Sequence, residues 1–452
     1  MKDFTRREFL QTTAGAAMAG ALSSRSALSE SDSVEPGSQA APTSAANTSP
    51  VRFAIIGVGM QGSGLLKTSI GLPGVQCVAA CDLYDGRHTL AKEIAGPSIQ
   101  TTRRYHDLLA DENIEALIVA VPDHWHKQIV VDVVGAGKDA YCEKPMSHTI
   151  AEGEEMVKAV QKSGRIVQIG SQRVSSPLFA KAKDIYDGGA IGELMQVELT
   201  IGRNTPTGAW EYPPPLDLSP SNLDWETWLG TAPKKAFDPY TFARWRCWHQ
   251  YGTGLAGDLM VHLVSGMQFI TGINQAPDLA SSMGGIFRWK DGRNMPDLHV
   301  VHLQYGKLPV SVRLTLDTDT PETTRIMGSH GVIEIVENTL TYIPQRGIDT
   351  SPSYYSNSFQ RSMRQQYDAK WHAENDAKLA AEPLSESTAY REHSDDDRNH
   401  LANFFNSVRT RKPVVEDVVF GHHAAAACHM ANMSYFKARP VSYEYTKQNR
   451  LS

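Results

Sequence analysis

Cysteine is scarce in this chain. Its five cysteines are odd in number and scattered, so no disulfide framework holds the fold together. Cys77 and Cys81 share a predicted strand, where four residues span roughly 13 Å, beyond the ~7 Å reach of a bridge. Cys142 lies at a strand end with no activating motif around it, so it reads as a packing residue. Excess positive charge is missing too. The formal net charge is -6, and no long Lys/Arg block occurs beyond the first few residues, which argues against nucleic acid or an anionic membrane as the main partner. No apolar run reaches the about 20 residues that span a bilayer, so no stable membrane anchor is expected. No internal repeat is found. What is present is ordinary globular material: 452 residues, 41% hydrophobic and 21% charged, enough for two packed domains and a small-molecule partner.

The start of the chain reads as an address. Thr5-Arg6-Arg7-Glu8-Phe9-Leu10, followed by the mildly apolar stretch Thr12 to Leu22, resembles a twin-arginine export signal. Residues 1–28 are assigned to that signal and 29–50, rich in Ser, Ala, Pro and Thr, to a flexible linker. A periplasmic location is the expectation.

Residues 51–172 carry the pattern of a Rossmann domain, a doubly wound parallel sheet of the α/β class. Arg52 to Ile56 form a short buried-strand run that leads into Gly57-Val58-Gly59-Met60-Gln61-Gly62, and a helix continues from Ser63. The first glycine permits the tight turn, the second lets backbone approach a pyrophosphate, and the third allows close packing of helix on strand. A second strand, Val75 to Cys81, ends at Asp82, twenty residues beyond Gly62, where a carboxylate can accept hydrogen bonds from the adenosine ribose. That placement favours NAD, while Arg87 keeps NADP possible. Further strands are predicted at Ile114 to Val121, Asp139 to Cys142 and Arg165 to Ile169, with helices at His126 to Gly135 and Thr149 to Ser163. Their ends carry Pro122-Asp123-His124-Trp125-His126, Glu143-Lys144-Pro145 and Ser171-Gln172-Arg173, which should converge on the cofactor edge. His124 and His126 share a strand face, but no Cys or carboxylate set completes a metal site, so no metal is expected.

The glycine loop, the Pro-Asp-His-Trp-His turn, Tyr141-Cys142-Glu143-Lys144-Pro145 and Gly257-Asp258-Leu259-Met260-Val261-His262 together resemble the glucose-fructose oxidoreductase and inositol dehydrogenase (Gfo/Idh/MocA) family. The resemblance runs from about Val51 to the end. It implies a C-terminal α/β domain, residues 173–452, whose open, largely antiparallel sheet makes a homo-oligomer interface. It also implies that Lys144 lies between nicotinamide and substrate, that Asp258 and His262 are an acid-base pair, and that Pro122, His126 and Glu143 border the cofactor. The local chemistry agrees. On a helix, residues four apart share a face, so Asp258 should orient His262 and raise its pKa.

Between Trp210 and Tyr251 the chain concentrates Trp210, Tyr212, Trp225, Trp228, Trp245 and Trp248 with Arg244, Arg246 and His249. Aromatic faces pack on sugar C–H surfaces, and Arg and His bond hydroxyls, so Arg173, Arg244, Trp245 and His249 are candidate substrate contacts. Strand runs recur at His299 to Tyr305, Val310 to Leu316, Gly331 to Val336 and Thr339 to Ile343. Residues 345–397 look like a polar, solvent-facing excursion, and two helices, Arg398 to Arg409 and Asp417 to Lys437, follow. The expected activity is hydride transfer between a secondary alcohol of a sugar, polyol or glycoside and a nicotinamide cofactor, NAD or NADP. Two alternatives stay open: a redox-assisted glycoside hydrolase or lyase with no net redox, and a non-catalytic sugar-binding protein that retains NAD. The Tyr-Pro-Thr-His signature associated with glycoside hydrolase family 109 is missing.

Overall fold

The computed structural model describes residues 49–381 and 384–448; the predicted export signal and nearly all of the linker lie outside the described residues. Short buried runs of Val, Ile and Ala alternate with helical stretches through the first half of the chain. In order they form β1 (Val51–Ile56), α1 (Met60–Ile70), β2 (Val75–Cys81), α2 (Asp85–Ala95), β3 (Gln100–Thr102), α3 (Tyr105–Ala110), β4 (Ala116–Val119), α4 (His126–Gly135), β5 (Asp139–Glu143), α5 (Ile150–Ser163) and β6 (Val167–Gly170). The strands pair in parallel in the order β3-β2-β1-β4-β5-β6. That order reverses direction between β1 and β4, and the crevice at the carboxyl ends of those strands is where such a sheet binds ligands. Local chemistry sets the helix starts: α5 opens with a capping box in which the Thr149 hydroxyl accepts from Glu152 N and the Glu152 carboxylate accepts from Thr149 N. The Gln-Thr-Thr of β3 has no apolar run to announce it.

The second half comprises α6 (Pro177–Asp187), β7 (Leu194–Gly202), α7 (Trp225–Leu229), α8 (Pro239–Ala243), α9 (Val261–Thr271), β8 (Leu279–Gly285), β9 (Leu298–Tyr305), β10 (Leu308–Thr315), β11 (Thr320–Gly328), β12 (Gly331–Val336), β13 (Thr339–Pro344), α10 (Arg361–Ala381), β14 (Thr388–Arg391), α11 (Asp396–Thr410), α12 (Val418–Lys437), β15 (Val441–Ser442) and α13 (Tyr443–Gln448). Its nine strands lie in the order β14-β13-β12-β11-β7-β10-β9-β8-β15. Only the β7–β10 pair is parallel. Residues of period two, such as Val197, Leu199 and Ile201, bury one face against α6, α9 and α12. The opposite face presents Glu198, His302 and Arg313 to solvent.

Two features depart from the sequence expectation. Residues 345–397 are not simply loop: α10 runs for 21 residues, and none of them is buried. Met363, Tyr367, Trp371 and Leu379 fall on one helical stripe, interrupted by Asn375, and charged pairs such as Arg364–Asp368 and Lys370–Glu374 brace it. In addition, α11 and α12 return to the first sheet. Phe404 and Phe405 enter one of its cores, with the Phe53 and Phe405 rings 5.2 Å apart, and Val418 and Ala425 enter the other. All five cysteines are buried and unpaired, and burial pushes the Cys142 thiol well above its ordinary pKa, so it is no nucleophile.

Candidate active site

The site begins at the turn after β1. Gly57 has φ +89°, and a Cβ there would stand 2.4 Å from the Ala120 carbonyl oxygen. A Cβ at Gly62 would stand 2.0 Å from the Gly57 oxygen. Helix α1 starts at Met60 with Gly59 as N-cap and no side-chain cap, so its first amides are left for an anion at the positive end of the helix dipole. This cradle fits a dinucleotide pyrophosphate. Asp82, at the end of β2, braces the loop: it accepts from Val58 N at 2.8 Å and Tyr84 N at 3.0 Å, and Arg87 approaches it at 3.4 Å. Part of the acceptor capacity expected to serve the ribose is therefore committed to the protein itself.

From the glycine loop a cavity of about 340 Å³ runs past Met60, Gln61, Pro122, Glu143 and Lys144 to Asp258 and His262. Glu143 accepts from Lys144 N at 3.2 Å, Gln172 Nε2 at 3.3 Å and Gln61 Nε2 at 3.4 Å. Burial pushes its pKa up to about 7, against the pull of Lys144. Lys144 Nζ donates to Asp258 Oδ1 and to the Asp258 carbonyl oxygen, both at 2.9 Å. Arg246 Nε donates to the same Oδ1 at 3.0 Å, and Trp210 Nε1 donates to Oδ2 at 3.1 Å. Burial alone would raise the Asp258 pKa, but Lys144 and Arg246 outweigh it and hold the carboxyl well below the usual carboxylate range. A pin across the site fixes this arrangement: Asp123 Oδ2 accepts from Thr253 Oγ1 at 2.6 Å and Thr253 N at 3.0 Å.

The expected partnership of Asp258 with His262 needs correction. Asp258 lies in a π turn, Ala256–Met260, immediately before α9, so the regular four-residue phase does not hold, and its hydrogen bonds go to Lys144, Arg246 and Trp210. The His262 pKa is not raised. Burial, then the charges of Lys144 and Arg173, push it well below its ordinary value despite Asp258, so the imidazole is neutral at physiological pH.

Other expected contacts sort by position. Trp245 lines the main cavity. Arg173 lines an adjoining cavity of about 380 Å³ that also contains His262, and it pairs with Glu322 at 2.7 Å and Asp396 at 3.7 Å. Arg244 is turned away: its Nε donates to the Tyr212 carbonyl oxygen at 3.0 Å and its guanidinium covers the Tyr240 ring. His249 lines a separate cavity of about 130 Å³ and sits against Asn294 Nδ2 at 2.9 Å. His126 is also behind the wall, 1% exposed, with its nitrogens 2.7 and 2.9 Å from the carbonyl oxygens of Pro145 and Val121. It braces the Lys144 turn and does not line the main cavity. The His124 nitrogens likewise lie 3.0 and 3.2 Å from the Trp228 and Tyr251 carbonyl oxygens. Arg246 and Trp210, which the sequence offers only as members of the aromatic stretch, join the Asp258 cluster. Both lie in or beside the aromatic stretch, but only the fold shows which of its arginines and tryptophans meet Asp258.

A Rossmann sheet with an uncapped glycine cradle, joined to an α/β domain that supplies Asp258 and His262, defines a nicotinamide-dependent oxidoreductase class of site. Comparison with known proteins agrees. Residues 51–171 match the Gfo/Idh/MocA model described as "Oxidoreductase family, NAD-binding Rossmann fold", and 209–284 match the model of the family's C-terminal alpha/beta domain. Both matches support membership of that family and mark an NAD(P)-binding Rossmann domain. Inositol 2-dehydrogenase of Salmonella typhimurium is 34% identical over 149 residues, which is 32% of this chain and 44% of that protein. A glycosyl hydrolase family 109 protein of Shewanella baltica is 31% identical over 176 residues, 36% of this chain and 38% of that protein. The chain thus spans less than half the length of these relatives. A levoglucosan dehydrogenase structure with NADH and levoglucosan superimposes with TM-score 0.64 at 16% identity, covering 87% of this chain and 99% of that one. A structure described as a "putative nadph-dependent oxidoreductase" from Desulfitobacterium hafniense gives TM-score 0.63 at 15% identity, covering 88% of this chain and 99% of that one. At these identities the likeness is one of fold.

Proposed function

We propose that this protein transfers a hydride between a ring secondary alcohol of a sugar, polyol or glycoside and NAD. The observation that carries this is the cluster of Lys144, Asp258, Arg246 and His262 at the end of a groove that starts on the glycine cradle. When bound, the nicotinamide supplies a hydride acceptor or donor. The protein's own groups manage the proton. Lys144, held by Asp258, offers an N–H to the substrate oxygen, and neutral His262 accepts the hydroxyl proton. The reverse reaction uses the same groups. Asp258 thus orients Lys144, and Arg246 keeps Asp258 ionised. Trp245 and Tyr212 supply aromatic faces for a sugar ring. NAD is favoured over NADP because a 2′-phosphate would meet the Asp82 carboxylate, while Arg87 is already paired with it. The names of the inositol and levoglucosan dehydrogenases support a cyclic polyol or sugar.

The test is a sugar and glycoside screen with cofactor identified by mass spectrometry. Lys144→Ala and His262→Ala are each expected to lower kcat about 100-fold or more, in the range usual for loss of a general acid or base. Full turnover by either folded variant overturns the assignment. A second reading, glycoside cleavage with no net redox, is favoured by the adjoining cavity of about 380 Å³, which shares Gln172, Arg203 and His262 with the first and has room for a leaving group. It predicts cleavage products without accumulation of NADH. We further propose export through the twin-arginine route on Arg6 and Arg7, and self-association through the face of the nine-stranded sheet that carries Glu198, His302 and Arg313. Cell fractionation and light scattering test these two points.

A further inference from the structure

His262 belongs to two cavities, and a third adjoins the second. Gln172, Leu259 and His262 line both the main cavity and its neighbour of about 380 Å³. Ile201, Glu322 and Glu337 line both that neighbour and a further cavity of about 430 Å³, whose outer wall is Asp319, Thr320 and Pro321. Arg203 lines all three. Each outer cavity by itself falls within the roughly 300–1,000 Å³ of a small-molecule site. A free monosaccharide that reaches Lys144 and His262 leaves both of them empty.

Arg203 follows the last residue of β7, and its amide donates to the Thr315 carbonyl oxygen at 2.9 Å, which fixes its backbone to the end of β10. Its guanidinium is held by nothing: among the described residues it makes no hydrogen bond or ion pair. The carboxylates nearby are engaged elsewhere. Glu322 accepts from Arg173 Nε at 2.9 Å and Nη2 at 2.7 Å, and Asp396 lies 3.7 Å from Arg173 Nη1. A half-buried guanidinium therefore keeps its N–H donors for a ligand rich in oxygen acceptors. The position bears on the reaction as well. After burial, Lys144 and Arg173, the charge of Arg203 also acts to lower the His262 pKa.

The walls say what such a ligand is. Ser176, Asn338 and Ser394 offer hydroxyl and amide groups, and Phe179 and Pro321 offer apolar faces, a mixture that suits a chain of sugar rings. Acidic sugars are excluded. In the second cavity Glu322, Glu337, Glu392 and the run Asp395 to Asp397 outnumber Arg173 and Arg203, and the third adds Asp319, so a chain bearing carboxylates or phosphates meets like charge.

We infer that the two outer cavities are subsites for an uncharged glycan chain of roughly three or more sugar units, whose terminal ring enters the main cavity and whose next ring lies on Arg203. Arg203 is then a specificity-determining residue, set between the ring that reacts and the rings that only bind. This rests on the hydride transfer proposed for the main cavity and deepens it, by naming the substrate as a chain instead of a free sugar.

The experiment uses the full chain. Cellotriose, maltotriose and N-acetylchitotriose are each compared with their own monosaccharide, and trigalacturonate serves as the acidic chain. Calorimetry in the presence of NADH reads binding, and NAD reduction reads turnover. At least one neutral trisaccharide is expected to bind about tenfold more tightly than its monosaccharide, and trigalacturonate not to bind. Arg203→Gln should raise KM for that trisaccharide about tenfold with kcat nearly unchanged, the mark of lost binding away from the reacting carbon. Asn338→Trp, at the exposed turn between β12 and β13, should fill the second cavity and abolish the preference for the longer chain; it keeps the test decisive if thermal unfolding shows that Arg203→Gln does not fold. The inference is overturned if no trisaccharide binds more tightly than its monosaccharide, if trigalacturonate binds as well as the neutral chains, or if the folded variants keep the wild-type preference. A trisaccharide that binds more tightly while no sugar reduces NAD upholds the subsites and defeats the hydride-transfer reading instead.

Discussion

The Asp258 carboxylate owes its charge to two neighbours. Lys144 and Arg246 both bond its Oδ1, and the three side chains are only 12 to 16% exposed, so each needs the others. Asp258→Asn leaves two cations side by side with little solvent. The expected loss is about 3 kcal/mol of stability, the scale of breaking a buried ion pair, and urea denaturation measures it. An unchanged midpoint would show that the cluster contributes no such energy. Glu143 carries a pH dependence. With its pKa pushed up to about 7, it is protonated below that value and ionised above it, which places a negative charge on the groove wall only at the alkaline side. The cationic oxidised nicotinamide gains from that charge and the neutral reduced form does not. Affinity for NAD relative to NADH should therefore rise several-fold between pH 6 and pH 8, and Glu143→Gln should flatten the rise in fluorescence and calorimetric titrations. Most of these residues were legible in the sequence because Glu-Lys-Pro and Asp-x-x-x-His are spaced motifs. The partner of Asp258 was not, because a π turn shifts the phase that spacing assumes.

At the scale of elements, the phosphate loop depends on which glycine carries which constraint. A methyl at Gly62 would collide with the Gly57 oxygen at 2.0 Å, whereas one at Gly64 would meet nothing within 4 Å. Gly62→Ala is expected to weaken NADH binding at least tenfold and Gly64→Ala to leave it unchanged, as read by equilibrium fluorescence titration. Equal effects of the two substitutions would show that the loop tolerates a side chain where the geometry forbids one. Five of the six strands of the Rossmann half could be read from sequence because each is a short apolar run, whereas β3, Gln100–Thr102, has none. The excursion 345–397 was harder to read. Helix α10 has its apolar stripe broken at Asn375 and buries none of its residues, so little in its pattern marks a packed element.

Among the described residues, the two sheets are tied together by α11 and α12. Helix α11 sends Phe404 and Phe405 into a core that contains Phe53, Ile55 and Leu65 of the first sheet. Phe404→Ala should therefore destabilise the Rossmann half, by about 3 to 5 kcal/mol, although some 350 residues separate it from β1. Urea unfolding followed by NADH binding and by circular dichroism should show one shifted transition; loss confined to the second sheet would contradict this packing. The sequence alone determined the glycine cradle, five of the six strands of the first sheet, and Lys144, Asp258 and His262 as candidate site residues. Each of these is encoded locally, in a turn that needs glycine, a run that needs burial or a spaced motif. Tertiary structure alone decided that Asp258 bonds Lys144 instead of His262, that Arg246 meets Asp258 while Arg244 and His249 lie off the main cavity, and that residues 217–251 pack onto the loop after β2. Those outcomes depend on which surfaces meet across the interior, and no stretch of neighbouring residues carries that information.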